Sequence, residues 1–192
     1  DDDDDDDTSA GGDDSDFVGP DDDQPSSACA NSNTYIGCDF WPTVTANGVW
    51  SIFDFAVVVA NVQEDDVAMV TVERKQNGMW TTLDGPIGVN PLDLHEFQFG
   101  DSHQEGTGIK AGGAYRVVSD TPVIAYQFNP IDGQSSFLSD ASMLYPVASW
   151  DDLNQLVNWA ADSPASTPFV TVAAAYDGTA VSFTPTVPTK AG

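Results

Sequence analysis

Tyr115-Arg-Val-Val-Ser119-Asp120-Thr121-Pro122-Val123-Ile-Ala-Tyr-Gln-Phe128 is the stretch that decides the fold. Two runs of β-branched and aromatic residues, Ala114 to Ser119 and Val123 to Phe128, flank an Asp-Thr-Pro tripeptide. Side chains branched at Cβ suit a pleated, half-buried backbone, and Asp and Pro favour chain reversal, so the stretch predicts a hairpin. Outward from it lie similar runs at Ile52–Asn61, Val67–Glu73 and Leu92–Phe99, separated by Gly, Pro, Asn or Asp. Short strands punctuated in this way predict an all-β chain, an antiparallel β-sandwich-like domain. Helical signal is weak everywhere except Trp150–Ala161, where Leu153, Leu156, Val157 and Ala160 share a face behind the capping candidates Asp151 and Asp152, and at most one short helix is expected there.

Domain organisation follows from composition. Residues 1–28 are Asp, Ser, Gly and Pro with little apolar content beyond Phe17 and Val18, too little to offset chain entropy, and they read as an extended acidic tail or linker. Residues 29–165 hold the β-sandwich-like domain. Residues 166–192 read as the start of a second β unit or a closing hairpin, because Phe169-Val-Thr-Val-Ala-Ala-Ala175, a Tyr-Asp-Gly turn and Val181-Ser-Phe183 echo Phe55–Asn61 and Val70–Val72. A start at Asp1, with neither an initiator Met nor a signal peptide, reads as a processed or excised segment.

Charge narrows the partners. The chain carries 31 acidic residues against five basic ones, a net charge of −26, and Asp1 to Asp7, Asp13, Asp14, Asp16 and Asp21 to Asp23 supply the acids of the tail. Such a chain repels phosphate backbones and anionic lipids, so neither nucleic acid nor direct membrane insertion is expected. No run approaches the ~20 apolar residues of a spanning helix. The two cysteines, Cys29 and Cys38, lack CxxC spacing and a nearby histidine; a local disulfide, and with it an extracellular or cell-surface location, is the favoured reading.

Four segments together resemble the IgGFc-binding protein N-terminal domain family. They are Tyr35-Ile-Gly-Cys-Asp-Phe-Trp41, Phe55-Ala-Val-Val-Val-Ala-Asn61, Tyr115 to Pro130 with its Tyr126-Gln-Phe-Asn-Pro130 end, and Ser139-Asp-Ala-Ser-Met-Leu-Tyr-Pro146. The resemblance covers about Cys29 to Pro185 and departs at Ser139, where the family usually has Asn. It implies a secreted surface protein of the kind found in myxobacteria, and it supplies no catalytic residues to transfer.

Candidate sites are weighed singly. The acidic clusters Asp13, Asp14, Asp16 and Asp21, Asp22, Asp23 offer hard oxygen donors for Ca²⁺ but lack the spacing of a calcium-binding loop. His95, Asp101, His103 and Glu105 read either as a transition-metal site or as solvated loop residues. Asp120 and Asp140 are turn carboxylates or calcium ligands, and Arg116 is expected to pair with one of them. Phe40-Trp41, Trp50 and Trp80 form a sugar platform if exposed and core if packed. Ser139 and Ser142 stand in no Gly-x-Ser-x-Gly context, so hydrolysis is disfavoured. The leading expectation is a non-enzymatic extracellular adhesion module contacting a protein or glycan. The alternative is a subunit of a filament or sheath that binds copies of itself by strand addition, with calcium in the joints.

Overall fold

The structure, a computed structural model, describes residues 29–30, 33–46, 54–100, 102–104, 106–131, 139–160 and 167–189. Seven strands form one antiparallel curled sheet: β1 (Gly37–Phe40), β2 (Phe55–Asn61), β3 (Ala68–Gln76), β4 (Met79–Val89), β5 (Leu94–Phe99), β6 (Tyr115–Phe128) and β7 (Ala141–Met143). The all-β, antiparallel architecture expected from the sequence is the one observed.

The expected hairpin within Tyr115–Phe128 is instead one 14-residue strand. Along one edge its first half pairs with β3, from Tyr115↔Arg74 to Ser119↔Val70, and its second half with β2, from Val123↔Asn61 to Phe128↔Ala56. Val117 also faces Phe40, and Val123 also faces Gly37, so β1 lies along the opposite edge, where β7 follows it at Tyr126–Phe128. Asp120, Thr121 and Pro122 fall between the two ladders. Pro122 therefore deprives no neighbour of an N–H, which is why a residue that reads as a breaker is tolerated in the middle of the sheet. Local hydrogen bonds hold the changeover: Asp120 Oδ1 accepts the Met69 N–H at 2.8 Å, and the Pro122 carbonyl accepts Gln63 Nε2 at 2.9 Å.

The pleat continues through the changeover, so Tyr115, Val117, Ser119, Val123 and Ala125 all point inward. They meet Phe55, Val57 and Val59 of β2, Val70 and Val72 of β3, Phe97 of β5 and Phe40 of β1 in a single core. Curling brings distant strands together, for Tyr115 stacks on Phe55 at 5.7 Å and on Phe99 at 4.7 Å. Asn61, buried at the end of β2, is fully used: Nδ2 donates to the carbonyls of Asp66 (2.7 Å) and Val89 (2.9 Å), and Oδ1 accepts the Gln63 N–H.

Strand β4 escapes the sequence pattern because Asp84-Gly85-Pro86 reads as a turn. It is an edge strand with register shifts against β3, and Gly85 sits at φ +98°, where an added Cβ would lie 2.5 Å from the Val70 carbonyl oxygen. The bulge accommodates both Gly and Pro.

Two further segments are less regular than their sequence pattern. Residues 151–160, where at most one short helix is expected, form none and are exposed; among the described residues the helical element is a single 3₁₀ turn at Val147–Ser149. The amphipathic face has no apolar surface to bury against, and a helix of this length is marginal without one. Residues 167–189 make the expected turn, with Gly178 at φ +78°, but carry no strand on either side of it.

Candidate functional site

Cations are scarce here, and two of the five, Arg116 and Lys75, meet on the outer face formed by β1, β6, β3 and β4. Register places Glu73 opposite Arg116 and Lys75 opposite Trp80. The Arg116 guanidinium bonds the Asp39 carboxylate through Nε (3.2 and 3.3 Å) and Nη2 (3.1 Å), lies 3.6 Å from Glu73 and sits 5.2 Å over the Trp80 ring. Lys75 lies 5.7 Å over that same ring, and Trp41 packs edge-on against it at 5.4 Å. Burial raises the Asp39 carboxyl above its ordinary value; the bonds and charge of Arg116 and the nearby Trp41 indole act against that rise. The buried Trp41 N–H makes no hydrogen bond of normal geometry. Trp41 and Trp80 are packed between strands and cations, so they do not form an open sugar platform. The expected partners of Arg116, Asp120 and Asp140, are replaced by Asp39 and Glu73, which only strand register brings near it.

The second feature is the free edge of β5. Among the described residues this strand pairs with β2 alone, in an unbroken register from Phe55↔Phe99 to Ala60↔Leu94. The Asn61 N–H bonds the Asp93 carbonyl at 2.9 Å, so the antiparallel alternation turns the backbone polar groups of Leu94, Glu96 and Gln98 away from β2. Just before the strand, Asn90-Pro91-Leu92-Asp93 forms a turn closed by Asp93 N–H to the Asn90 carbonyl at 3.1 Å. Leu92 occupies the position in this turn where Gly is favoured; its φ of +57° costs a non-glycine residue about 1–2 kcal/mol. Its side chain is 73% exposed and that of Leu94 60%. Together with Ala60, Asn61, Val62 and Asp93 they line an open hollow of about 290 Å³.

The third feature is the segment 151–160 and 167–189. Val157 is 98% exposed and Trp159 88%, and Leu153, Phe169, Val172, Tyr176, Val181 and Phe183 are also in solvent. The segment is tied at few points: Asn158 Nδ2 bonds the Phe169 carbonyl at 2.6 Å, and Lys75 pairs with Asp177 at 2.5 Å.

The remaining candidates distribute as follows. Cys29 and Cys38 are joined in a disulfide, with Cα atoms 5.3 Å apart, as the sequence predicts. Asp13, Asp14, Asp16, Asp21, Asp22 and Asp23 lie outside the described residues, as do Asp101, Glu105 and Trp50. His95 packs edge-on against Phe97 at 4.7 Å, and the His103 carbonyl accepts Lys110 Nζ at 3.2 Å. Among the described residues no three His, Cys, Asp or Glu side chains gather as a metal site. Ser139 Oγ donates to the carbonyls of Pro130 and Ile131 (3.2 and 3.1 Å), a loop tie. No described helix is long and apolar enough to cross a membrane. The sequence reading missed the β5 edge and Leu92; Pro91 marked the turn, but nothing in one sequence tells which residue of it takes positive φ.

The chain matches no family model, no curated protein and no solved structure. The resemblance to the IgGFc-binding protein N-terminal domain family rests on the four segments quoted above.

Proposed function

We propose that this chain is a non-enzymatic binding module of an extracellular, surface-displayed protein, with an adhesive role. The observation that carries the reading is the contrast between a disulfide-closed sheet and an adjoining segment, 151–160 and 167–189, that leaves large apolar side chains in water. Exposed apolar groups in this density mark a contact surface. The partner is an extracellular protein or glycan. Exposed Tyr35, Tyr145 and Trp150 flank the same corner of the sheet, where Ser149 Oγ donates to the Thr34 carbonyl at 2.6 Å, and they offer aromatic faces for either. Biolayer interferometry against arrays of matrix proteins and surface glycans tests this. Saturable binding lost in Trp159→Ala or Trp150→Ala is expected; turnover of a glycan or peptide substrate without stable binding would overturn it.

A second reading, self-assembly by strand addition, is favoured by the uncharged run at Phe169–Ala175, which pairs with no strand among the described residues. The aspartate clusters of the tail would bind Ca²⁺ at the joints. Electron microscopy of native material with and without a chelator tests this: filaments that fray on chelation are expected, and dispersed particles in both conditions count against it.

A further inference from the structure

We propose that the free edge of β5, with the hollow beside Leu92 and Leu94, is the acceptor for residues Phe169–Ala175 of a second copy of this chain. The inference rests on the strand-addition reading and names both halves of the joint.

Three observations converge on it. The first is an unprotected edge. Natural edge strands are blunted by bulges, Pro or Lys, and β4 on the far side of the sheet has Gly85, Pro86 and two register shifts. β5 has no bulge, Pro or Lys, Glu96 is the one carboxylate on it, and its register is regular over six residue pairs. The second is an apolar hollow at the start of that edge, one wall of which is Leu92, held in a left-handed conformation with its side chain in solvent. Strain at an exposed apolar residue brings nothing to the isolated chain and marks a place where a contact is made.

The third is the donor. Residues 163–176 contain no charged side chain, so this stretch adds no local repulsion when copies carrying −26 each approach. In its own chain the run is held by Asn158 at Phe169 and by Lys75 at Asp177, and among the described residues it has no ladder partner. An added strand would satisfy the outward N–H and C=O groups of Glu96 and Gln98 and the C=O of Leu94, whose N–H is already bonded to Asp93 Oδ1 at 2.9 Å. Its large end residue would seat in the hollow, Phe169 for a strand parallel to β5 and Tyr176 for an antiparallel one. Because donor and acceptor are different surfaces, the contact is head-to-tail and propagates unless the geometry closes a ring.

The test is sedimentation velocity of the full chain over rising concentration, on the wild type and three variants. Thr171→Pro breaks the donor strand outside the packed sheet, Gln98→Pro removes an outward N–H of the acceptor, and Leu92→Gly empties one wall of the hollow while relieving its strain. We expect concentration-dependent association of the wild type, weakened about tenfold or more by each proline. An equimolar mixture of the two proline variants should form dimers and stop there, since only one intact donor meets one intact acceptor. Leu92→Gly should weaken association while raising Tm by about 2–4 °C, a pairing of effects that general unfolding cannot produce. Association of all three variants at wild-type strength would overturn the proposed joint and leave assembly through another surface standing. A wild type that stays monomeric throughout would overturn both.

Discussion

The sheet from β1 to β7 and the segment that follows it are written in much the same residues. Phe55-Ala-Val-Val-Val-Ala-Asn61 and Phe169-Val-Thr-Val-Ala-Ala-Ala175 each alternate β-branched and small apolar side chains. In the first, Phe55, Val57 and Val59 are buried to 1% exposure or less; in the second, Phe169 and Val172 stand more than half in solvent. The difference lies in partners. β2 has β6 on one side and β5 on the other, whereas 169–175 has a strand on neither. A strand-like sequence is an offer of edges and faces, and burial follows only where another element takes it up.

The largest test of this contrast sets two phenylalanines against each other. Phe97→Ala, in the core, should cost about 3–5 kcal/mol in urea unfolding, whereas Phe169→Ala should fall within about 0.5 kcal/mol of wild type. Equal losses would mean that the segment packs in solution. Next, replacing Cys29 and Cys38 together by Ser should cost about 2–3 kcal/mol in the same assay, since the bridge closes a loop nine residues apart in sequence.

Arg116→Met should cost about 1–3 kcal/mol, because it leaves Asp39 half-buried without its cation. Lys75→Met, which loses the ion pair to the largely exposed Asp177, should cost less than about 1 kcal/mol. The smallest effect is one of pH. Asp39 holds its proton more tightly folded than unfolded, so its protonation contributes stability that is fully present below the ordinary aspartate value of 3.8 and is lost as pH rises through the raised folded value. Unfolding midpoints of wild type and Asp39→Asn should therefore differ in slope over that acidic window. Parallel curves would show that Arg116 and Trp41 cancel the burial effect.

Much of the sheet was legible in the sequence. β2 and β5 fall inside the apolar runs and β3 begins inside one and runs three residues past its end at Glu73, and the Cys29–Cys38 bridge followed from proximity along the chain. What failed did so for tertiary reasons. Asp120-Thr121-Pro122 has the chemistry of a turn, and only the change of neighbours from β3 to β2 explains why the strand runs through it. Asp84-Gly85-Pro86 hid β4 in the same way. Arg116 was assigned the carboxylates near it in sequence, while its partners arrive from β1 and β3. The helix at Leu153–Ala160 had the right period and no surface to lie on.

One covalent bridge governs how this molecule would behave under tension. Just before β1, the Thr34 carbonyl is bonded by Ser149 Oγ, just after β7, and Gly37 lies so close to Pro146 that an added Cβ would sit 2.4 Å from the proline side chain. The chain thus enters and leaves the sheet at one corner. Thr34 and Gly37, however, lie inside the loop that the Cys29–Cys38 bridge closes, so a pull from the N-terminal side passes through the bridge into β1 and loads its ladder with β6, while the ladders of β2, β3, β4 and β5 hang off the line of force and keep their shape.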